Sequence, residues 1–190
     1  VAPLPTARPA MTAPDHDFDP DDNYGDDVER DGIDDDAGTE AWVWQLLLAI
    51  NPGDEDAALQ QFGAFQDALG GADADDVDAP ALLRDVIDWK SGFHIEDTAP
   101  GALAELAARF NLALDWGVED PTDDAFLARV STDDLLQAAR DQLRLDGYTL
   151  WTWDTGSDDT VAGWMTQSSD DDAIRVIAPA LGIEARPAGV

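Results

Sequence analysis

Cysteine is absent from the 190 residues, and lysine occurs once, at Lys90. The first absence excludes disulfides, thiolate metal sites and a cysteine nucleophile. Histidine is scarce too, with only His16 and His94. A lone imidazole with no Ser, Cys or second His in a matching pattern makes neither a nucleophilic dyad nor a zinc site. No stretch approaches the ~20 apolar residues of a membrane span. There is no GxGxxG, P-loop, GxSxG or HExxH motif. Val1 to Ala13 lacks the continuous apolar core of a signal peptide. The expectation is a cytoplasmic protein with no catalytic residue, cofactor or resident metal declared by motif.

Acid is abundant. Forty-two Asp and Glu face ten Lys and Arg, for a net charge of −32. Such a charge repels nucleic-acid phosphate and anionic lipid, so neither is an expected direct ligand. Basic proteins and cations are the natural electrostatic partners. Aspartate outnumbers glutamate 35 to 7. Three origins fit this bias. One is a surface adapted to high salt, where screening shortens the range of repulsion. Another is GC-rich coding. The third is a charge selected to meet a basic partner.

Residues 1–37 lack apolar periodicity and carry twelve acids against Arg8 and Arg30, a net of −10. They read as a disordered acidic tail, because such a segment buries too little surface to offset its ordering entropy. Residues 38–190 read as one folded domain carrying the other −22.

Within that domain, Trp42, Leu46, Leu47 and Ile50 recur at helical spacing and stop at Asn51-Pro52-Gly53. Asp54 caps a second helix carrying Ala58, Phe62, Phe65 and Leu69, and Pro80 opens a third. Gly92–Glu96 reads as a strand. A helix through Leu103 and Phe110 follows, then a second strand over Leu112–Trp116. Ser131 caps a helix with Leu135, Leu136, Ala139 and Leu143. The clearest β signal is residues 148–153 and 160–165, which flank the turn residues Asp154 to Asp159 as a hairpin. Ser169 caps a last helix. The expected fold is α+β: a small, mainly antiparallel four-stranded sheet with about six helices, in the order α-α-α-β-α-β-α-β-β-α.

Two acidic stretches invite a calcium reading. From Asp19 in the tail, Tyr24 and Arg30 occupy the places where an EF-hand needs Gly and Glu, so the register fails. Asp154, Gly156 and Asp158 have the composition of an ion loop, and equally that of any tight turn. Weak divalent-cation binding is the most this pattern supports.

The tryptophans are more informative. There are seven, and three adjoin an aspartate: Asp88-Trp89, Asp115-Trp116 and Trp153-Asp154. On the hairpin, Trp151 and Trp153 share a face, with Trp164 across from one of them. Uncovered, that face would be an aromatic patch rimmed by Asp154 and Asp158, the makings of a protein-binding hot spot. The expected function is therefore a non-catalytic acidic interaction domain for a basic protein, as an immunity-type or nucleic-acid-mimicking inhibitor would be. The binding residues would be Trp151, Trp153, Asp154, Asp158 and Trp164, with Trp89 and Trp116. The alternatives are an enzyme or small-ligand binder with a pocket near Trp89, His94 and Trp116, and a salt-adapted protein whose charge selects no partner.

Residues 86–90 (Val-Ile-Asp-Trp-Lys) with Phe93, Leu114-Asp115-Trp116, and the run from Gly147 to Asp158 together resemble a bacterial domain-of-unknown-function family over roughly residues 40 to 185. That resemblance implies no activity. The Trp-Asp-Thr-Gly-Ser-Asp turn also resembles the strand pair of SUKH-type immunity proteins, which bind and neutralise toxins. It implies no site residue.

Overall fold

A computed structural model describes residues 33–71, 78–88, 90–95, 100–156 and 160–189. The expected tail lies outside the described residues up to residue 32. The first helix, α1 (Ile33–Ile50), begins ahead of the expected start near Thr39. It is followed by α2 (Glu55–Gly71), α3 (Ala79–Val86), β1 (Gly92–Ile95), α4 (Pro100–Ala108), the single turn α5 (Asp124–Leu127) and α6 (Thr132–Leu145). The hairpin β2 (Tyr148–Asp154) and β3 (Val161–Gln167) comes next. A 3₁₀ turn at Ser168–Asp170, α7 (Asp171–Ala180) and β4 (Ala185–Pro187) complete the order.

The α+β class and the antiparallel four-stranded sheet are as expected, with strand order β1-β3-β2-β4. The hairpin register sets Trp151 opposite Trp164 and Trp153 opposite Ala162. Both faces of the sheet are covered. Trp151, Trp153, Ala162 and Trp164 point into a core built with α1, α2, α3 and α7. Phe93, Ile95, Leu150 and Met165 point into a second core built with α4, α5 and α6. This three-layer arrangement explains why the hairpin reads as nearly continuous apolar sequence rather than as a clean alternation. No described helix is long and apolar enough to cross a membrane.

Three elements depart from the expected order. Leu112–Trp116 is not a strand. Its alternating burial is real, but it runs beside α6, where the Gln142 side chain takes the place of a strand. The Asp115 N–H donates to Gln142 Oε1 at 2.7 Å, and Gln142 Nε2 donates to the Asp115 carbonyl at 2.9 Å. The fourth strand is instead β4, which pairs with β2 through Trp151–Pro187 and Trp153–Ala185. It has three residues and ends in proline, which belongs on an edge strand because it cannot donate to a ladder. Ser169 makes no cap bond to α7; the 3₁₀ turn intervenes and Asp170 takes the N-cap position.

The aspartate bias has a local structural correlate. Asp54 and Asp78 accept N–H bonds at the starts of α2 and α3, and Asp134 completes a capping box with Ser131. Asp88, Asp115, Asp120 and Asp154 each accept a backbone N–H two residues ahead. These contacts need a carboxylate one methylene from the backbone, and glutamate is too long for most of them.

Candidate functional site

A small cleft of about 150 Å³ lies between the end of α3 and the β1–β3 side of the sheet. Arg84, Ile87 and Asp88 form one wall. The floor is the sheet face bearing His94, Ala162, Trp153 and Trp164. Period-two geometry sets this floor: His94 lies opposite Ala162, which lies opposite Trp153.

Two glycines bring the backbone this close. A Cβ on Gly163 would sit 1.9 Å from the Trp151 carbonyl oxygen and 2.6 Å from Phe93 Cζ. A Cβ on Gly92 would sit 2.8 Å from the Gly163 carbonyl oxygen and 2.9 Å from Ile87 Cγ2. Phe93 covers Gly163 from the neighbouring strand, filling the space where a side chain is missing.

The polar groups of the cleft are unequally committed. Asp88 Oδ1 accepts the N–H groups of Lys90 and Ser91, at 2.9 and 3.1 Å. Arg84 Nη1 donates to the Thr155 carbonyl at a long 3.4 Å. The Nε1 atoms of Trp153 and Trp164 are buried and have no acceptor among the described residues, whereas Trp151 Nε1 donates to Thr166 Oγ1 at 2.9 Å. His94 is exposed, with no hydrogen bond to another described residue.

A buried polar network fixes the base of the cleft. Ser91 Oγ donates to Asn51 Oδ1 at 2.5 Å and accepts from Gln61 Nε2 at 2.7 Å. Asn51 Nδ2 donates to Gln61 Oε1 and to the Leu47 carbonyl, both at 2.9 Å. Arg109 Nη2, beyond the end of α4, donates to Asn51 Oδ1 at 3.0 Å. Burial lowers the Arg109 pKa, and Asp88 and Asp54 partly oppose that shift. The network ties α1, α2 and α4 to the Ser91 turn, from which β1 departs.

The expected binding residues fare unequally. Trp151 and Trp164 are 1% exposed and Trp153 is 7% exposed, so the hairpin offers no open tryptophan face; α1 and α7 cover it. Trp153 and Trp164 meet the cleft from beneath instead. Trp116 is half-buried against the opposite core, across the sheet from the face that bears His94. Asp154 is exposed and closes a turn on Gly156 N at 2.8 Å. Trp89 and Asp158 lie outside the described residues. Among those described, no cluster of His, Asp or Glu could hold a metal ion. Sequence reasoning missed Arg84, Ile87 and Gly163 as cleft residues. The available signal was Arg84 four residues before Asp88, on the last turn of a helix that leads directly into β1.

Fold and site together define a three-layer α+β domain with a cleft at one margin of its sheet and, among the described residues, no nucleophile–base pair in it. The family model described as Domain of unknown function (DUF6630) matches residues 43–188, and the chain belongs to that family. No curated protein and no solved structure matches.

Proposed function

We propose that this domain binds a small organic ligand in the cleft between α3 and the sheet. The observation that carries the proposal is a cleft that sets the side chains of Arg84, Asp88 and His94 beside apolar surface from Ile87, Ala162, Trp153 and Trp164, a mainly apolar lining with a few polar groups as ligand sites have. The proposal is of binding rather than turnover: among the described residues no hydrogen-bonded partner orients His94 as a base. A fragment screen read by amide and indole N–H NMR tests it. Hits should move the resonances of His94, Gly163, Trp153 and Trp164, and should be lost in Ala162→Leu, which fills the floor. His94→Gln, at an exposed position, serves if that variant does not fold. Hits that map elsewhere, or none at all, would remove the proposal.

The acid supports a second reading, capture of a basic protein, since residues 38–190 carry −22. The capping aspartates lie in both helix layers, so this attraction would be general rather than confined to one face. A basic partner retained from native lysate at low salt and released at high salt would support it. A partner indifferent to salt would count against it.

A further inference from the structure

We infer that a second cleft, between α6 and α7 at the β4 margin of the sheet, binds a phosphate group carried on a small organic molecule. This goes beyond the reading of the α3 cleft and does not depend on it. The second cleft has a volume of about 480 Å³, within the range of about 300–1,000 Å³ that small-molecule sites occupy. Arg140 and Arg144 line it from α6 and Arg175 from α7, with Tyr148 and Thr149 of β2 and Ser168 of the 3₁₀ turn. Acids outnumber Lys and Arg 42 to 10 over the whole chain. Here the ratio turns round: three arginines meet Asp171, the one acid among the described lining residues.

Arg140 and Arg144 stand one turn apart on one face of α6, a like-charge spacing that weakens a helix unless an anion answers it. Arg140 Nη1 donates to the Ala188 and Gly189 carbonyls at 3.1 and 3.0 Å, which holds its guanidinium against the chain beyond β4. Its Nε and Nη2 face Asp141 Oδ1. Arg175 lies over the Trp151 ring, its Cζ 6.0 Å from the centroid. Its Nη1 donates to Asp172 Oδ1 at 2.9 Å, and its Nη2 stands 4.0 Å from Asp171 Oδ2. Arg144 is exposed and makes no hydrogen bond or ion pair to a described residue. The aspartates are the competitors for any anion. Asp141 and Asp172 have side chains 59% and 99% exposed, and ion pairs so open to water contribute little and exchange readily. A phosphate group brings close to two charges and three acceptor oxygens, so it can engage several guanidiniums at once, as a single aspartate does not. Thr149 Oγ1 and Ser168 Oγ are 3.1 Å apart. One of their two protons is spent between them, and the other has no acceptor among the described residues. The net charge of the chain still disfavours a phosphate polymer, which would lie along the acidic surface; a single group fits inside the cleft.

The test titrates the full chain with inorganic phosphate, phenyl phosphate and acetate at a fixed ionic strength of about 0.15 M, where the Debye length is about 8 Å. Arginine Nε–H resonances and the amides of Thr149 and Ser168 report binding. Phenyl phosphate should give saturable shifts at Arg140, Arg144, Arg175, Thr149 and Ser168, with acetate about tenfold or more weaker. Inorganic phosphate should shift the same resonances and bind less tightly than phenyl phosphate. If it binds more tightly, the organic carrier is wrong and free phosphate is the ligand. Arg144→Gln changes an exposed residue without a described partner, so the fold should survive, and it should weaken phenyl phosphate about fivefold or more. Arg129→Gln removes the same charge just after α5, outside this lining, and should change affinity by less than about twofold. Equal losses in the two variants would mean attraction to overall charge and would overturn the site. Acetate as tight as phenyl phosphate would overturn the phosphate assignment. So would the absence of any saturable shift, the result expected if the arginines are already answered by their own aspartates or by a carboxylate outside the described residues.

Discussion

Replacing Asn51 with alanine should cost roughly 3–7 kcal/mol of stability. The side chain makes four bonds: to the Leu47 carbonyl, Gln61 Oε1, Ser91 Oγ and Arg109 Nη2. Three join neutral groups, each with a net worth of about 0.5–1.5 kcal/mol, and the fourth joins a guanidinium and is worth about 1.5–3 kcal/mol. Asn51 is 1% exposed, so water does not readily replace the lost partners. Against a total stability of about 5–15 kcal/mol, this is a large fraction. Urea is the denaturant to use, because guanidinium chloride would screen the acidic surface while it unfolds the protein. Asn51→Asp keeps the two acceptor contacts but sets a carboxylate oxygen against the Leu47 carbonyl and Gln61 Oε1, so it too should destabilise. A loss below about 1 kcal/mol for Asn51→Ala would refute the reasoning.

Gly163→Ala should destabilise by about 3 kcal/mol or more, since its Cβ meets a strand carbonyl rather than a flexible side-chain end; a change under about 1 kcal/mol in urea unfolding would contradict the packing described. Ser131→Ala breaks the capping box of α6 and should lower the melting temperature by about 2–4 °C. Its pH dependence has a fixed sign. The Ser131 N–H and hydroxyl hold Asp134 below the usual aspartate pKa. The hydroxyl-to-carboxylate part of the loss is therefore complete above the ordinary value of about 3.9 and fades as pH falls through the lower folded value, so the gap between wild type and variant should narrow in strong acid to the lost cap bond from Asp134 N–H to Ser131 Oγ. The urea midpoint of the natural chain should rise between about 10 mM and about 1 M KCl, as the Debye length falls from about 30 Å to about 3 Å. An unchanged midpoint would mean that the acids are spaced widely enough not to destabilise the fold.

What the sequence reveals of this fold depends on how local each signal is. The hairpin is legible because its two runs of β formers and its turn residues lie within twenty positions of one another. The capping box at Ser131 is legible for the same reason. β4 is not, because three residues ending in Pro187 have no pattern of their own and become a strand only beside Trp151 and Trp153. Leu112–Trp116 misleads because its alternation is real, while its partner is one glutamine side chain thirty residues on. The tryptophan face shows the same limit. Its composition fits an open patch and a buried core equally, and only the docking of α1 and α7 decides. Of the candidate site, His94 is legible within the strand expected over Gly92–Glu96, as part of a pocket expected near Trp89 and Trp116. The rest of the cleft joins α3 to the middle of the hairpin across some seventy residues, a distance that no periodicity encodes.

The Gln142 contact has a consequence for how this protein fails. A stretch with strand-like alternation stays out of any sheet only while α6 holds that amide against Asp115. If α6 loosens on heating, residues 112–118 present unpaired N–H and C=O groups beside Leu112, Leu114, Trp116 and Val118, a template for pairing between chains. The surrounding aspartates keep two such chains apart only while their charge acts over distance. Aggregation should therefore start from this segment and be fastest when partial melting coincides with high salt, the condition that otherwise favours the folded state.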